Sequence, residues 1–210
     1  QCTTKQKRHS MINIPIDDVW VLWPTTICSS FPEDPGNLYL NGKKHFKLEL
    51  DFELTDETDH YKAIFNILPA YTMLKLLRDR MIFVASFEDG TKEDHNLPLF
   101  VTPHERIFLS YEFEPDQDIK LFIRNNTTGN EIDFKINMEG RNFKYEAEPF
   151  IVLAGDNIPE RSDKEHFTGV TFHELKLYSN ERLLSHHTFD EFIHDKSVDK
   201  TGNCNFIHKF

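Results

Sequence analysis

The stretch HFTGVTFHELKLYSNERLL, residues 166–184, decides the fold. Val170 and Phe172, and later Leu175 and Leu177, alternate inward along an extended chain, and polar residues separate them. Gly169 stands where a strand begins or bends, and the missing side chain suits that place. Upstream, EPFIVLAGDNIP (residues 148–159) is an apolar strand that ends at Gly155 in a polar loop, so the two stretches read as neighbouring strands of one sheet.

The same two-residue alternation recurs along the chain. In HFKLELDFEL (45–54), Phe46, Leu48, Leu50, Phe52 and Leu54 share one face, and Lys47, Glu49, Asp51 and Glu53 share the other. Further strands are predicted at 19–23, 62–68, 80–87, 106–113, 119–125, 131–137 and 149–155. Turn chemistry separates them: PEDPGN (32–37), EDG (88–90), EPDQD (114–118), NNTTGN (125–130) and MEG (138–140). Short strands at regular spacing point to an antiparallel sandwich rather than to βαβ units. The apolar spacing in TMLKLLRD (72–79) and TFDEFIHD (188–195) predicts one or two short helices.

Nineteen phenylalanines among 210 residues supply a sizeable core, enough for one large β domain. We expect a single domain over 1–210, with its core at about 18–184 and a C-terminal helix and tail over 185–210. A formal net charge of −11 argues against nucleic acid, anionic lipid or sulfated polysaccharide as partner. The basic run KQKR (5–8) reads as a solvated terminus. No apolar run nears the roughly 20 residues that cross a bilayer, so membrane insertion is not expected. The opening Gln suits either signal-peptide removal or an excised fragment.

Cys2, Cys28 and Cys204 lack the spacing of a metal site. They allow one disulfide with a thiol left over, or three free thiols. NNTT (125–128) holds two overlapping glycosylation sequons, at Asn125 and Asn126, which suit a secreted surface loop. His186, His187, Asp190 and His194 lie close in sequence, in spacing that permits metal binding but better fits a solvated helix.

A strand ending in glycine, a loop, then Phe-x-Gly-x-hydrophobic followed by LKLY resembles the C-terminal half of laminin-G and related concanavalin A-like domains. RIFLSYEFEPDQDIKLFIRN (106–125) is similar to that family's central strand pair, HFKLELDFEL to its early strand and VWVLW (19–23) to its opening one. The resemblance covers most of residues 18–184. It implies an all-β, antiparallel jelly-roll sandwich with chain ends near one another, which would bring Cys2 and Cys204 within range of a bridge, Cys28 competing.

ELDFE also resembles the E-x-D-x-E signature of retaining endoglucanases of the same structural clan. That resemblance implies Glu49 as nucleophile, Asp51 as its assistant and Glu53 as acid/base, for a β-glycan substrate. The chain departs from the pattern: NGKKHFK replaces a Gly-rich, Trp-containing lead-in, and Trp20 and Trp23 are the only tryptophans available for stacking sugar. A charged solvent face is the simpler account of these residues. Relatives often hold a rim calcium, for which Asp89 in FEDG and Asp156 with Asn157 in AGDN are candidate ligands, and ordinary turn roles fit them as well. The functional expectation is a non-catalytic extracellular recognition module, with a protein partner slightly preferred over a glycan. A glycan hydrolase and a structural domain of a larger protein are the rivals.

Overall fold

The computed structural model describes residues 12–14, 20–22, 44–55, 61–68, 72–77, 80–142, 150–154, 169–193, 196–202 and 206–209. These form sixteen strands: β1 Ile12–Ile14, β2 Trp20–Leu22, β3 Phe46–Leu54, β4 Tyr61–Leu68, β5 Thr72–Leu77, β6 Arg80–Ser86, β7 Lys92–Phe100 and β8 Ile107–Phe113. They continue with β9 Ile119–Asn125, β10 Glu131–Ile136, β11 Phe150–Leu153, β12 Val170–Ser179, β13 Arg182–His187, β14 Phe192–Ile193, β15 Lys196–Val198 and β16 Phe206–Lys209.

Two antiparallel sheets result. The first runs β1-β12-β3-β8-β9-β10, with β13 also pairing β12, and the second runs β14-β15-β16-β2-β11-β4-β5-β6-β7. The strands at 150–153 and 170–179, expected to be neighbours in one sheet, lie in different sheets: β11 pairs β2 and β4, and β12 pairs β3, because partners are chosen by register and not by order along the chain. Strands adjacent in one sheet are in several places far apart in sequence, as β12 and β3 are, which is the crossing connectivity of a jelly roll. The alternation in β3 is complete: its five apolar residues are buried and its four charged ones half-buried on the opposite face. Tyr111 on β8 joins the layers, its ring centroid lying 5.5 Å from that of Phe83 and 6.3 Å from that of Phe65, both on the second sheet.

The expected helix at 72–79 is replaced by β5. Thr72, Met73, Leu74, Lys75 and Leu76 are all buried, because both faces of this strand are covered. Leu74 and Leu76 enter the main core, while Met73 joins Ile82 and Val84 in a second apolar cluster. A strand buried on both faces loses its alternation and imitates helical spacing. Lys75 lies on this covered face and ion-pairs with Asp94 at 2.9 Å.

No helix forms over the described part of 188–195 either. Phe189 has φ 55°, which no α-helix accommodates, and Phe192–Ile193 pair with Lys196–Ser197. Among the described residues beyond 184, β15 and β16 extend the second sheet, with β16 pairing β2, where a helix and tail were expected.

Candidate functional site

The outer face of the first sheet carries the ELDFE carboxylates; Glu49 and Asp51 each meet a cation, and Glu53 lies beside a histidine. Lys47 Nζ lies 2.7 Å from Glu49 Oε1, the Arg106 guanidinium grips both oxygens of Asp51, and His173 Nε2 lies 3.8 Å from Glu53 Oε2. Arg106 Nη2 donates to Asp51 Oδ2 at 2.8 Å, and this bond leads the effects that hold the guanidinium above its already high pKa. Burial opposes ionisation of Glu174 beside them, yet hydrogen bonds from Lys176 and His186 keep its carboxyl below the usual range. The face is a charge-matched lattice, flanked by Phe108 and Phe122.

His173 owes its position to a β-bulge. The register of β12 against β3 shifts between Phe172 and Glu174, and β12 exchanges edge partners there, from β1 at Val170–Phe172 to β13 at Leu175–Ser179. Burial first, and Arg106 second, lower the pKa of His173, so the neutral ring is favoured. The three-residue gap between Phe172 and Leu175 is the sequence trace of this bulge.

A second feature lies at one end of the sandwich, where the entry to β3, the β8–β9 turn and the β12–β13 hairpin converge. Lys44 and His45, Glu114 and Pro115, and Ser179 through Arg182 line an open cleft of about 620 Å³. Its floor is held by a relay. The Asn180 backbone N–H donates to His45 Nδ1 at 2.6 Å, which fixes the ring proton on Nε2, and Nε2 donates to Glu112 Oε1 at 2.8 Å. That hydrogen bond from His45, ahead of the attraction of Lys120, holds the Glu112 carboxyl below its usual range against the opposing effect of burial. Asn180 has φ 52°, in the left-handed region that asparagine tolerates and that turns the hairpin. Sequence reading did not single out His45 or the hairpin, because the convergence depends on strands that are remote in the chain.

The other predicted positions are dispersed. Asp89 Oδ1 accepts from Thr91 N at 2.8 Å and from Thr91 Oγ1 at 2.6 Å, closing the β6–β7 turn, and these bonds lower its pKa. Asp156 and Asn157 lie outside the described residues, as do Cys2, Cys28, Cys204 and His194. His186 contacts Glu174, His187 sits between two serines, and Asp190 pairs with Lys200, so these three residues turn to different partners. No group of three or more His, Cys, Asp or Glu side chains suited to a metal ion occurs among the described residues.

The two sequon asparagines differ sharply. Asn125 is 1% exposed, and its side chain accepts from Thr127 N and Thr128 N while donating to Glu105. Asn126 is exposed on the same turn.

No protein-family model matches the chain, and no curated protein matches it. Solved structures do. Domains LG4–5 of the mouse laminin α1 chain superimpose with a TM-score of 0.56 at 12% identity, over 91% of this chain and 46% of that one. The LG1–3 region of the laminin α2 chain gives 0.57 at 8% identity, over 98% of this chain and 35% of that one. The enzymatically active domain of tailspike protein 2 from bacteriophage CBA120 gives 0.56 at 12% identity, over 91% and 35% respectively. The chain thus spans less than half the length of each. At such identities the likeness concerns backbone architecture alone, and with the two sheets described above it establishes the fold as a laminin-G-like, concanavalin A-like jelly-roll sandwich.

Proposed function

We propose that the chain is a non-catalytic recognition module, and that it holds a protein partner at the rim cleft beside His45. The observation that carries this reading is the cleft lining. Lys44, Arg182, Glu114, Glu181 and Asn180 present charges of both signs and an amide, with no Phe, Tyr or Trp among the lining residues and the His45 ring tied into its own hydrogen bonds. A sugar-stacking platform requires an aromatic face, whereas mixed charge complements a polar peptide surface. Loops on a rigid sandwich are free to vary while the core holds them in place, which suits recognition. The ELDFE carboxylates, with Glu49 and Asp51 ion-paired and Glu53 beside His173, act in this reading as part of the sheet's own surface.

The test is parallel binding of the wild type, Arg182→Glu and Glu49→Gln to a panel of cell-surface and secreted ectodomains and to a glycan array, with calcium and with chelator. Saturable binding to a protein is expected, weakened about tenfold or more by Arg182→Glu, or roughly 1.4 kcal/mol, and unchanged by Glu49→Gln. Glycan binding indifferent to Arg182→Glu, or β-glucan hydrolysis lost in Glu49→Gln, would overturn the proposal in favour of the carbohydrate reading. Loss with chelator alone would assign a part to calcium held by the loops.

An extracellular setting belongs to the same proposal, supported by the exposure of Asn126. When the chain passes through a eukaryotic secretory pathway, glycopeptide mass spectrometry is expected to find sugar at Asn126. Thr128→Ala, which removes that sequon and leaves the one at Asn125, is expected to abolish occupancy. A glycan retained on Asn125 in the variant contradicts this assignment.

A further inference from the structure

His187 is fully buried on β13, at the junction of the two sheets. Its Nδ1 lies 3.0 Å from Ser197 Oγ on β15, in the second sheet, and its Nε2 lies 3.1 Å from Ser185 Oγ on β13 itself. Both serines are also fully buried. The ring stacks on Phe189, with centroids 6.1 Å apart, and Phe189 is held at φ 55°, a conformation that costs a bulky residue energy.

The segment around Ser197 also covers an edge. β13 pairs β12 on one side, and residues of Lys196–Gly202 hydrogen-bond to it on the other. Lys200 N donates to His186 O at 2.7 Å, His186 N donates to Asp199 Oδ1 at 2.8 Å, and Thr201 Oγ1 donates to Leu184 O at 3.4 Å. These bonds occupy the alternate backbone groups that an edge strand otherwise offers to another chain.

We propose that Lys196–Gly202 is an acid-released latch over the edge of β13, with neutral His187 as its pin. A neutral imidazole suits the seat, since one serine accepts its N–H and the other donates to its lone pair. A charged ring finds no carboxylate in contact among the described residues. On β12, Leu175 stands opposite His187, and Glu174 is engaged by Lys176 and His186. On the latch, Asp199 is taken up by His186 N and Thr201, Lys196 is exposed, and Lys200 pairs with Asp190 and Glu191 of the connecting segment. Neighbouring His186 adds repulsion when it too is charged.

Burial, reinforced by His186, pushes the pKa of His187 down to about 3. In an opened latch the ring returns to its ordinary value near 6.5. The closed state therefore binds fewer protons between those values: the latch is at full strength above about pH 6.5 and weakens as pH falls below it. At pH 5.0 the opening equilibrium is expected to rise about 30-fold over its value at about pH 7.5. That pH lies above the ordinary carboxylate range, so the window isolates histidine.

Amide hydrogen exchange on the full chain at pH 5.0 and 7.5, corrected for intrinsic rates, tests this. The reporters are the amides of His186, Val198 and Lys200, and those of Leu109 and Ile123 serve as reference. A loss of protection of about 30-fold confined to the reporters, absent in His187→Asn and kept in His186→Gln, is the expected result. Equal loss in the reference strands, no loss in the reporters, persistence in His187→Asn or abolition in His186→Gln overturns the proposal. Should His187→Asn fail to fold by circular dichroism, the His187 ring carbon shifts of the wild type decide. A closed-state ring neutral to below pH 4 supports the latch, and a ring titrating near pH 6.5 with reporter protection unchanged overturns it.

Discussion

Phe172→Ala is expected to lower the free energy of unfolding by about 3–5 kcal/mol. The side chain is fully buried, its ring centroid lies 6.1 Å from that of Phe52 across the β12–β3 pair, and β1 pairs β12 on the other side at Phe172. It also stands immediately before the bulge, where the hydrogen-bond ladder is interrupted, so neighbouring strands have little freedom to collapse into the vacated space. Urea unfolding should show a lower midpoint with an unchanged slope. Phe100→Ala serves as the control: Phe100 is 61% exposed, and its loss should change stability by no more than about 0.5 kcal/mol. A cost under 1 kcal/mol at Phe172 would refute its place in the core.

Asn125→Ala is expected to cost about 2–4 kcal/mol, through polar rather than apolar loss. The Asn125 Oδ1 atom accepts from Thr127 N at 3.0 Å and Thr128 N at 3.1 Å, while Nδ2 donates to Glu105 Oε2 at 2.9 Å. Alanine leaves those groups short of partners at a turn where Asn126 N donates to Arg106 O and Gly129 N to Asn125 O. Asn125→Asp retains both acceptor bonds but sets a carboxylate against Glu105, so it should also destabilise at neutral pH. An amide is the group that accepts and donates at once here. Thermal unfolding of the two variants checks this, and an Asp variant as stable as the wild type would show that the bond to Glu105 contributes little.

That residue shows how a local motif and a structural role diverge. Asn125 and Asn126 are equivalent as sequons, yet burial separates them: one caps the β9–β10 turn and the other faces solvent. Likewise, the gap between Phe172 and Leu175 was visible in the chain, but its consequence, His173 set beside Glu53 and Arg106, needed the neighbouring strands. The strands at 45–54, 106–113 and 119–125 were legible because each has one covered face, so alternation survives in the residues. β5 was not, being covered on both faces. β7 was not either, because KEDHNLPLF is a polar edge strand carrying a proline, and its pairing with β6 comes from register rather than from its own pattern.

The sequence by itself determined the all-β class, the antiparallel sandwich and the inward face of the principal strands, since a period of two with turn residues between strands is a local property of the chain. The rim cleft and its His45 relay, the partners set against the ELDFE carboxylates and the seat of His187 were decided by tertiary structure. The physical reason is separation along the chain: His45 meets Asn180, and Asp51 meets Arg106, only after strands remote in sequence have paired. Hydrogen bonds and ion pairs depend on distances of a few ångströms, and a one-dimensional pattern carries no such distance between residues it does not place side by side.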